Sequence, residues 1–294
     1  MPPYIESSEL IINADGSVFH LHLKPGEIAD DIILVGDPGR VELVASFFDE
    51  VELKRNNREF VAVTGWLNKK RLTVVSTGIG TDNIDIVINE LDALVNVDFI
   101  TRKEKEVKKS LNFVRIGTSG SLQSDIPVDS WLISNSAIGF DGLLHFYQSS
   151  TSVFIDKPMK AFIAHTKWPM AFNRPYMVNS GNDLLTRIKV PQMVGGITIS
   201  APGFYGPQGR VIRLPLAHEH INELITSFRH ESLRVTNYEM ECSAIYGLSK
   251  LLGHQAVTVC AIIANRLAGT YSKDYHPVVK GLVEIVLKQL TAIN

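Results

Sequence analysis

The sequence predicts an α/β fold built on a mixed or parallel sheet. Three observations carry that expectation. Short apolar, β-rich runs alternate with segments of helical period, Gly/Pro turns close those runs, and the most apolar run, residues 257–264, reads as a central buried strand. With 294 residues, 45% of them apolar, the chain can bury a sizeable core. No Gly-, Ser- or Pro-rich linker and no internal repeat divides it, so one domain over residues 1–294 is expected.

In chain order, Val18-Phe19-His20-Leu21-His22-Leu23 alternates as a strand does. Residues 32–35 form the first clear strand, closed by Gly36-Asp37-Pro38-Gly39-Arg40 and followed by apolar residues at helical spacing. Backbone N–H groups at such a strand–turn–helix junction can receive an anion. Residues 58–66 and 71–76 read as two strands joined around Asn68-Lys69-Lys70, and the glycine-bearing turn 77–82 precedes an amphipathic helix over 83–94. The charge run 101–110 reads as an exposed loop or helix end. Residues 113–116 are a short strand delivering Gly117-Thr118-Ser119-Gly120-Ser121, 131–134 the next strand, and Asp141-Gly142 a turn; the pattern over 149–176 is weak. Strand 194–200 ends in the Gly/Pro-broken loop 201–210, and helices are expected over 217–228 and 239–252, the latter closed by Gly253. After strand 257–264 comes Asn265-Arg266, and a proline-led helix spans 277–290.

The charge balance, 29 Lys+Arg against 31 Asp+Glu, and the lack of a basic, aromatic-interleaved block argue against polymeric nucleic acid as a partner. The longest apolar run is about nine residues against the roughly 20 of a membrane span. Met1–Glu6 lacks the pattern of a secretory leader, so a cytoplasmic setting with no membrane partner is expected. Cys242 and Cys260 lack a CxxC or metal-ligand spacing, and the nine histidines form no HExxH, so no metal is expected. Phosphate-loop, dinucleotide and serine-elbow motifs are absent.

Arg40, Arg58, Arg115 and Arg266 stand at strand ends or Gly-rich turns, where a planar fork of donors suits phosphate or a carbonyl edge. Asn237-Tyr238-Glu239-Met240-Glu241-Cys242 opens the expected helix, and carboxylates at i and i+2 face one ligand only if the segment is still extended. They read either as acids at a helix N-terminus or as a carboxylate for vicinal sugar hydroxyls with Met240 against the sugar face. His20, taken alone, reads as structural.

Eight collinear motifs, VFHLHL (18–23), VGDPGR (35–40), NREF (57–60), STGIG (76–80), VRIGTSG (114–120), FYGPQGR (204–210), NYEMEC (237–242) and IIANR (262–266), resemble the nucleoside phosphorylase family of the uridine phosphorylase type. The resemblance implies a three-layer α/β/α sandwich around a mixed central sheet, acting on a nucleoside and inorganic phosphate in a homo-oligomer with shared sites. It implies phosphate at Gly36, Arg40, Arg115 and Thr118, with Arg58 from a neighbouring subunit. Ribose falls to Glu241, Met240 and Thr118, with His20 from the partner near the 5′-hydroxyl. The base falls to Gly120, Phe204, Tyr238, Gln208 and Arg210, with Arg266 in support. Arg40, Arg115, Thr118, Gln208, Arg210 and Glu241 form the catalytic set. Phosphate is then a co-substrate and no cofactor is implied; a monovalent cation between subunits, with Glu59 and Ser76 as candidate ligands, is left open.

An amide and a guanidinium match the carbonyl–imide–carbonyl edge of uracil, and the stretch Ala264-Asn265-Arg266-Leu267 lacks the acid that purine-type members place there. Reversible phosphorolysis of uridine, with deoxyuridine or thymidine as further substrates, is therefore expected ahead of a purine nucleoside phosphorylase, a nucleosidase or a non-catalytic nucleoside-binding protein. Residues 101–112, 143–176 and 211–216 depart from the family pattern, as does the Gly-Pro order before Gln208.

Overall fold

The computed structural model describes residues 3–292; Met1 and Pro2 of the segment read above for a leader lie outside it. Its order is β1 (Asp31–Val35), α1 (Pro38–Ala45), β2 (Glu50–Asn57), β3 (Phe60–Leu67), β4 (Lys70–Ser76), α2 (Thr81–Asn96), β5 (Val97–Asp98), β6 (Lys103–Glu104), β7 (Asn112–Ser121) and β8 (Trp131–Gly139). Then come α3 (Asp156–Thr166), β9 (Tyr176–Asn179), α4 (Asn182–Ile188), β10 (Met193–Ser200), α5 (Ile221–Ser227), β11 (Arg229–His230), β12 (Leu233–Glu239), α6 (Cys242–Leu251), β13 (Gln255–Asn265), β14 (Thr270–Tyr271) and α7 (His276–Thr291).

The alternation of β1 shows why three layers form. Ile32 and Leu34 pack with α2 and α6 on one side, and Ile33 and Val35 with α1, α4 and α7 on the other. A strand buried on both faces has to read as continuously apolar, as this one does. The sheet is mixed, in the order β11-β12-β10-β8-β13-β7-β1-β4-β3-β2. Strand β12 also pairs antiparallel with β7, Asn237 opposite Ser121 and Tyr238 opposite Gly120, so β12, β10, β8, β13 and β7 close on themselves. That closure brings NYE against GTSG across more than a hundred residues of chain.

Local signals hold where they are chemical. Asp37 caps α1 by accepting from Arg40 N at 2.9 Å, with Pro38 behind it. Asn68 and Lys69 take φ of 49° and 64°, the left-handed pair a two-residue hairpin turn needs. Gly253 at φ 82° ends α6, with Gly253 N donating to Lys250 O and His254 N to Ser249 O.

Four expectations are corrected. Residues 18–23 form a turn rather than a strand: Val18 makes one isolated bridge to Ile12, and the N–H groups of His20 and Leu21 donate to the Glu90 carboxylate instead of a ladder. The 117–121 segment is the second half of β7, because β13 pairs with it throughout, with a register shift between Ile262 and Ala264. Residues 237–239 belong to β12, and the helix starts only at Cys242. The helix expected over 217–228 is the shorter α5, anchored by Ile221 and Ile225. The charge run 101–110 is a loop carrying β6, which pairs with β5.

Candidate active site

Where β7, β12 and β13 end together, a cavity of about 430 Å³ is lined by Gly36, Arg40, Arg115, Thr118, Gly120, Phe204, Gln208, Arg210, Tyr238, Met240 and Glu241. Each comes from one of the sequence-predicted groups, on four separate stretches of chain. Asp37, Ile79, Ser119, Glu239, Ile263, Ala264 and Tyr271 complete the wall.

Its floor is a buried charge cluster. The Arg115 side chain is 5% exposed; Nη2 donates to Glu241 Oε2, and Nη1 lies 3.4 Å from Glu239 Oε2. Burial works against the Arg115 charge, but Glu241 and Glu239 outweigh it and hold the guanidinium above its ordinary value. Arg115 Nε and Nη1 make no hydrogen bond, and Nη1 keeps only the longer ion pair with Glu239. The guanidinium lies flat over Gly117, where a Cβ would sit 2.0 Å from Nη1. Arg40 flanks this pair, held by Asp37 at 2.9 Å and by the Ile116 carbonyl at 3.2 Å, and burial lowers its guanidinium from the ordinary value against the opposing effect of Asp37.

Because residues 237–241 are not helical, both carboxylates of the NYEMEC motif do turn to one place, the alternative that the spacing rule allowed for an extended segment. Glu241 Oε1 accepts from Gly80 N at 2.8 Å. Glu239 accepts from Ser200 Oγ at 2.6 Å, Glu241 N at 2.9 Å and Cys242 N at 3.0 Å, so it caps the start of α6 and ties it to β10. Burial raises the Glu239 carboxyl above the usual range, Arg115 opposes this and Glu241 adds to it. Neither Glu239 nor Gly80 is among the sequence-predicted site residues, although the paired acids of NYEMEC point to the first and the STGIG motif contains the second.

At the other end, Arg210 Nη1 donates to Gln208 Oε1 at 2.5 Å and to Phe204 O at 2.6 Å, and its guanidinium stacks 3.9 Å from the Phe204 ring centroid. The amide oxygen of Gln208 is thereby oriented. Arg266 does not line the cavity: it lies behind the loop, donating to the Gln208 and Gly209 carbonyls, 5.9 Å from the Tyr238 ring. Asn265, in the acid-free stretch 264–267, is fully committed, donating to Gln123 O and Ile126 O and accepting from Leu267 N and Ala268 N.

His20 and Arg58 sit together but apart from this cavity. Asn57 Nδ2 donates to His20 O at 2.8 Å, His20 Nδ1 lies 2.7 Å from Glu90, and exposed Arg58 lies over Phe19 at 5.7 Å. Beside them Ser76 Oγ donates to the Glu59 carbonyl at 2.6 Å and accepts from Val61 N, so that hydroxyl is spent on the sheet. Among the described residues no cluster of three or more His, Cys, Asp or Glu is grouped as metal ligands would be, and no helix is long and apolar enough to cross a membrane.

Comparison with known proteins finds relatives over most of the chain. A uridine phosphorylase from Thermococcus kodakarensis is 29% identical over 267 residues, covering 91% of this chain and 84% of its own. A guanosine phosphorylase from Halorubrum lacusprofundi is 26% identical over 251 residues, covering 85% and 84%. In three dimensions, a Trypanosoma brucei nucleoside phosphorylase described as showing uridine phosphorylase activity superposes with a TM-score of 0.87 at 30% identity, over 97% of this chain and all of its own. The family model of the phosphorylase superfamily matches residues 30–293, from the residue before β1 to beyond α7, and so takes in every wall of the cavity. The chain belongs to the phosphorylase superfamily.

Proposed function

We propose that this chain is a uridine phosphorylase, a pentosyltransferase that converts uridine and phosphate into uracil and ribose 1-phosphate. The observation that carries the reading is that the buried Arg115–Glu241 pair, with Arg40 beside it, lines the same cavity as the Gln208–Arg210 pair. One end has donors for an anion and the other an amide–guanidinium edge for a pyrimidine. Relatives that phosphorolyse uridine support the same assignment.

In this mechanism Arg40, Arg115, Thr118 and the Gly36 turn hold phosphate beneath C1′, and an oxygen of phosphate attacks that carbon. The electron pair of the C1′–N1 bond leaves with uracil, where Arg210 and Gln208 stabilise the developing negative charge, and N1 of the departing base takes up a proton from solvent equal to the one the phosphate gives up on becoming the sugar ester. Glu241 orients the ribose hydroxyls, and Met240 supports the sugar face. Gly120, Phe204 and Tyr238 flank the base, with Arg266 fixing the reading loop from behind. A nucleosidase, which uses water, has no need of the arginine cluster. A purine reading lacks an acid beside the base, since Asn265 is spent on its own turn.

The same proposal has His20 and Arg58 completing the site of a neighbouring subunit, His20 near the ribose 5′-hydroxyl and Arg58 on the phosphate. A cytoplasmic setting, where Cys242 and Cys260 stay reduced, belongs to it as well. The test is base release from uridine, thymidine, inosine and adenosine, each with and without phosphate. Phosphate-dependent release of uracil is expected; release without phosphate, or a preference for inosine, overturns it.

A further inference from the structure

The base-reading loop is held from outside by a residue that no motif marks. Asn222, the second residue of α5, has its amide packed against the backbone of Gly209: Nδ2 donates to the Gln208 carbonyl at 3.1 Å, and Oδ1 accepts from Tyr238 Oη at 3.0 Å. Gly209 Cα lies so close that a Cβ there would meet Asn222 Nδ2 at 2.1 Å, and the glycine takes φ 68° besides. Arg266 takes the Gln208 and Gly209 carbonyls from another side. The carbonyl and the side-chain amide of Gln208 are thus fixed separately, the first by Asn222 and Arg266, the second by Arg210.

We propose that Asn222 is a positioning residue that sets substrate specificity: by bridging the Tyr238 hydroxyl to the Gln208 carbonyl, it holds the Gln208 amide where it can read the imide edge of a pyrimidine. The inference rests on the uridine phosphorylase reading. Only an amide serves, because the site needs a donor toward a carbonyl and an acceptor toward a phenol hydroxyl. An aspartate at 222 keeps the acceptor but turns a second acceptor on the carbonyl, and a leucine keeps the bulk and loses both bonds.

The experiment measures kcat and KM for uridine and for 3-methyluridine, whose imide carries no proton, in the wild type, Asn222→Asp, Asn222→Leu and Tyr238→Phe, with uracil affinity by calorimetry as a readout free of turnover. The uridine KM is expected to rise about tenfold in Asn222→Asp while the phosphate KM stays within about twofold, and the uridine preference over 3-methyluridine to shrink by a similar factor. Uracil should bind about tenfold more weakly, and Tyr238→Phe should move both quantities the same way by less. A fall in kcat/KM that is equal for both nucleosides, or a preference and uracil affinity within twofold of wild type in a folded Asn222→Leu, overturns the inference. Absence of phosphate-dependent turnover of uridine in the wild type itself overturns the underlying reading and this inference with it.

Discussion

The Arg115 guanidinium can lie where it does only because residue 117 has no side chain. Gly117 does not take a left-handed φ, so its requirement is one of space. Gly117→Ala places a methyl where the guanidinium lies, pushing it off Glu241 and away from the cavity. A loss of about a hundredfold in kcat/KM for phosphate is expected, the scale seen when one preorganised charge-stabilising donor is removed, with the protein still folded; unchanged phosphate kinetics would contradict the placement. Glu239 makes a second prediction at this scale. Its carboxyl is pushed up from an ordinary 4.5 to about 7, first by burial. The native state therefore holds a proton that the unfolded chain releases, a contribution to stability complete below about 4.5 and lost as pH rises through about 7. Melting temperatures at pH 5, 6, 7 and 8 check it: the wild-type advantage over Glu239→Gln should fall between pH 5 and 7 and level off above that, and a constant or growing advantage over pH 5–7 would refute it.

Elements, not single residues, explain what the sequence pattern missed. The VFHLHL alternation imitates a strand, yet its polar backbone is satisfied by one buried side chain of α2, Glu90, which receives His20 N at 3.0 Å, Leu21 N at 2.8 Å and approaches His20 Nδ1 at 2.7 Å. Glu90→Ala leaves those donors without an acceptor, and urea unfolding should show a loss of about 2 kcal/mol; a change under about 0.5 kcal/mol would mean that water replaces the carboxylate. The GTSG segment looked like a turn because it has little side chain to bury, but β13 and β12 supply its pairing. Register shifts are not encoded in either strand alone, and the one between Ile262 and Ala264 leaves Ile263 and Ala264 lining the cavity.

At the scale of the whole molecule, each chain presents one cavity lacking His20 and Arg58 and one exposed patch bearing them. If neighbouring subunits share sites as proposed, mixing Arg58→Ala with Arg115→Ala subunits regenerates some sites with both arginines. Each variant alone should be nearly inactive, and a random equal mixture should regain up to about a quarter of wild-type activity, since about half of randomly paired dimers are mixed and one of the two sites in each is restored. No recovery would place Arg58 outside the phosphate site.

By itself the sequence determined the α/β class, the hairpin turn at Asn68-Lys69 and the Gly253 helix end, which are local properties, while most of the cavity's roster was legible only through the eight collinear motifs and the family they resemble. Arg40 behind its GDPG turn and the paired acids of NYEMEC were legible from their local setting as well. Tertiary structure alone decided that the two acids share one arginine, that GTSG is a strand, that Arg266 braces the loop from behind, and that Glu239, Gly80 and Asn222 belong to the arrangement. Each of those follows from β12 closing onto β7 or from helices docking across the sheet. Such pairings depend on the energy of burying many elements together, and no local stretch of sequence carries that quantity.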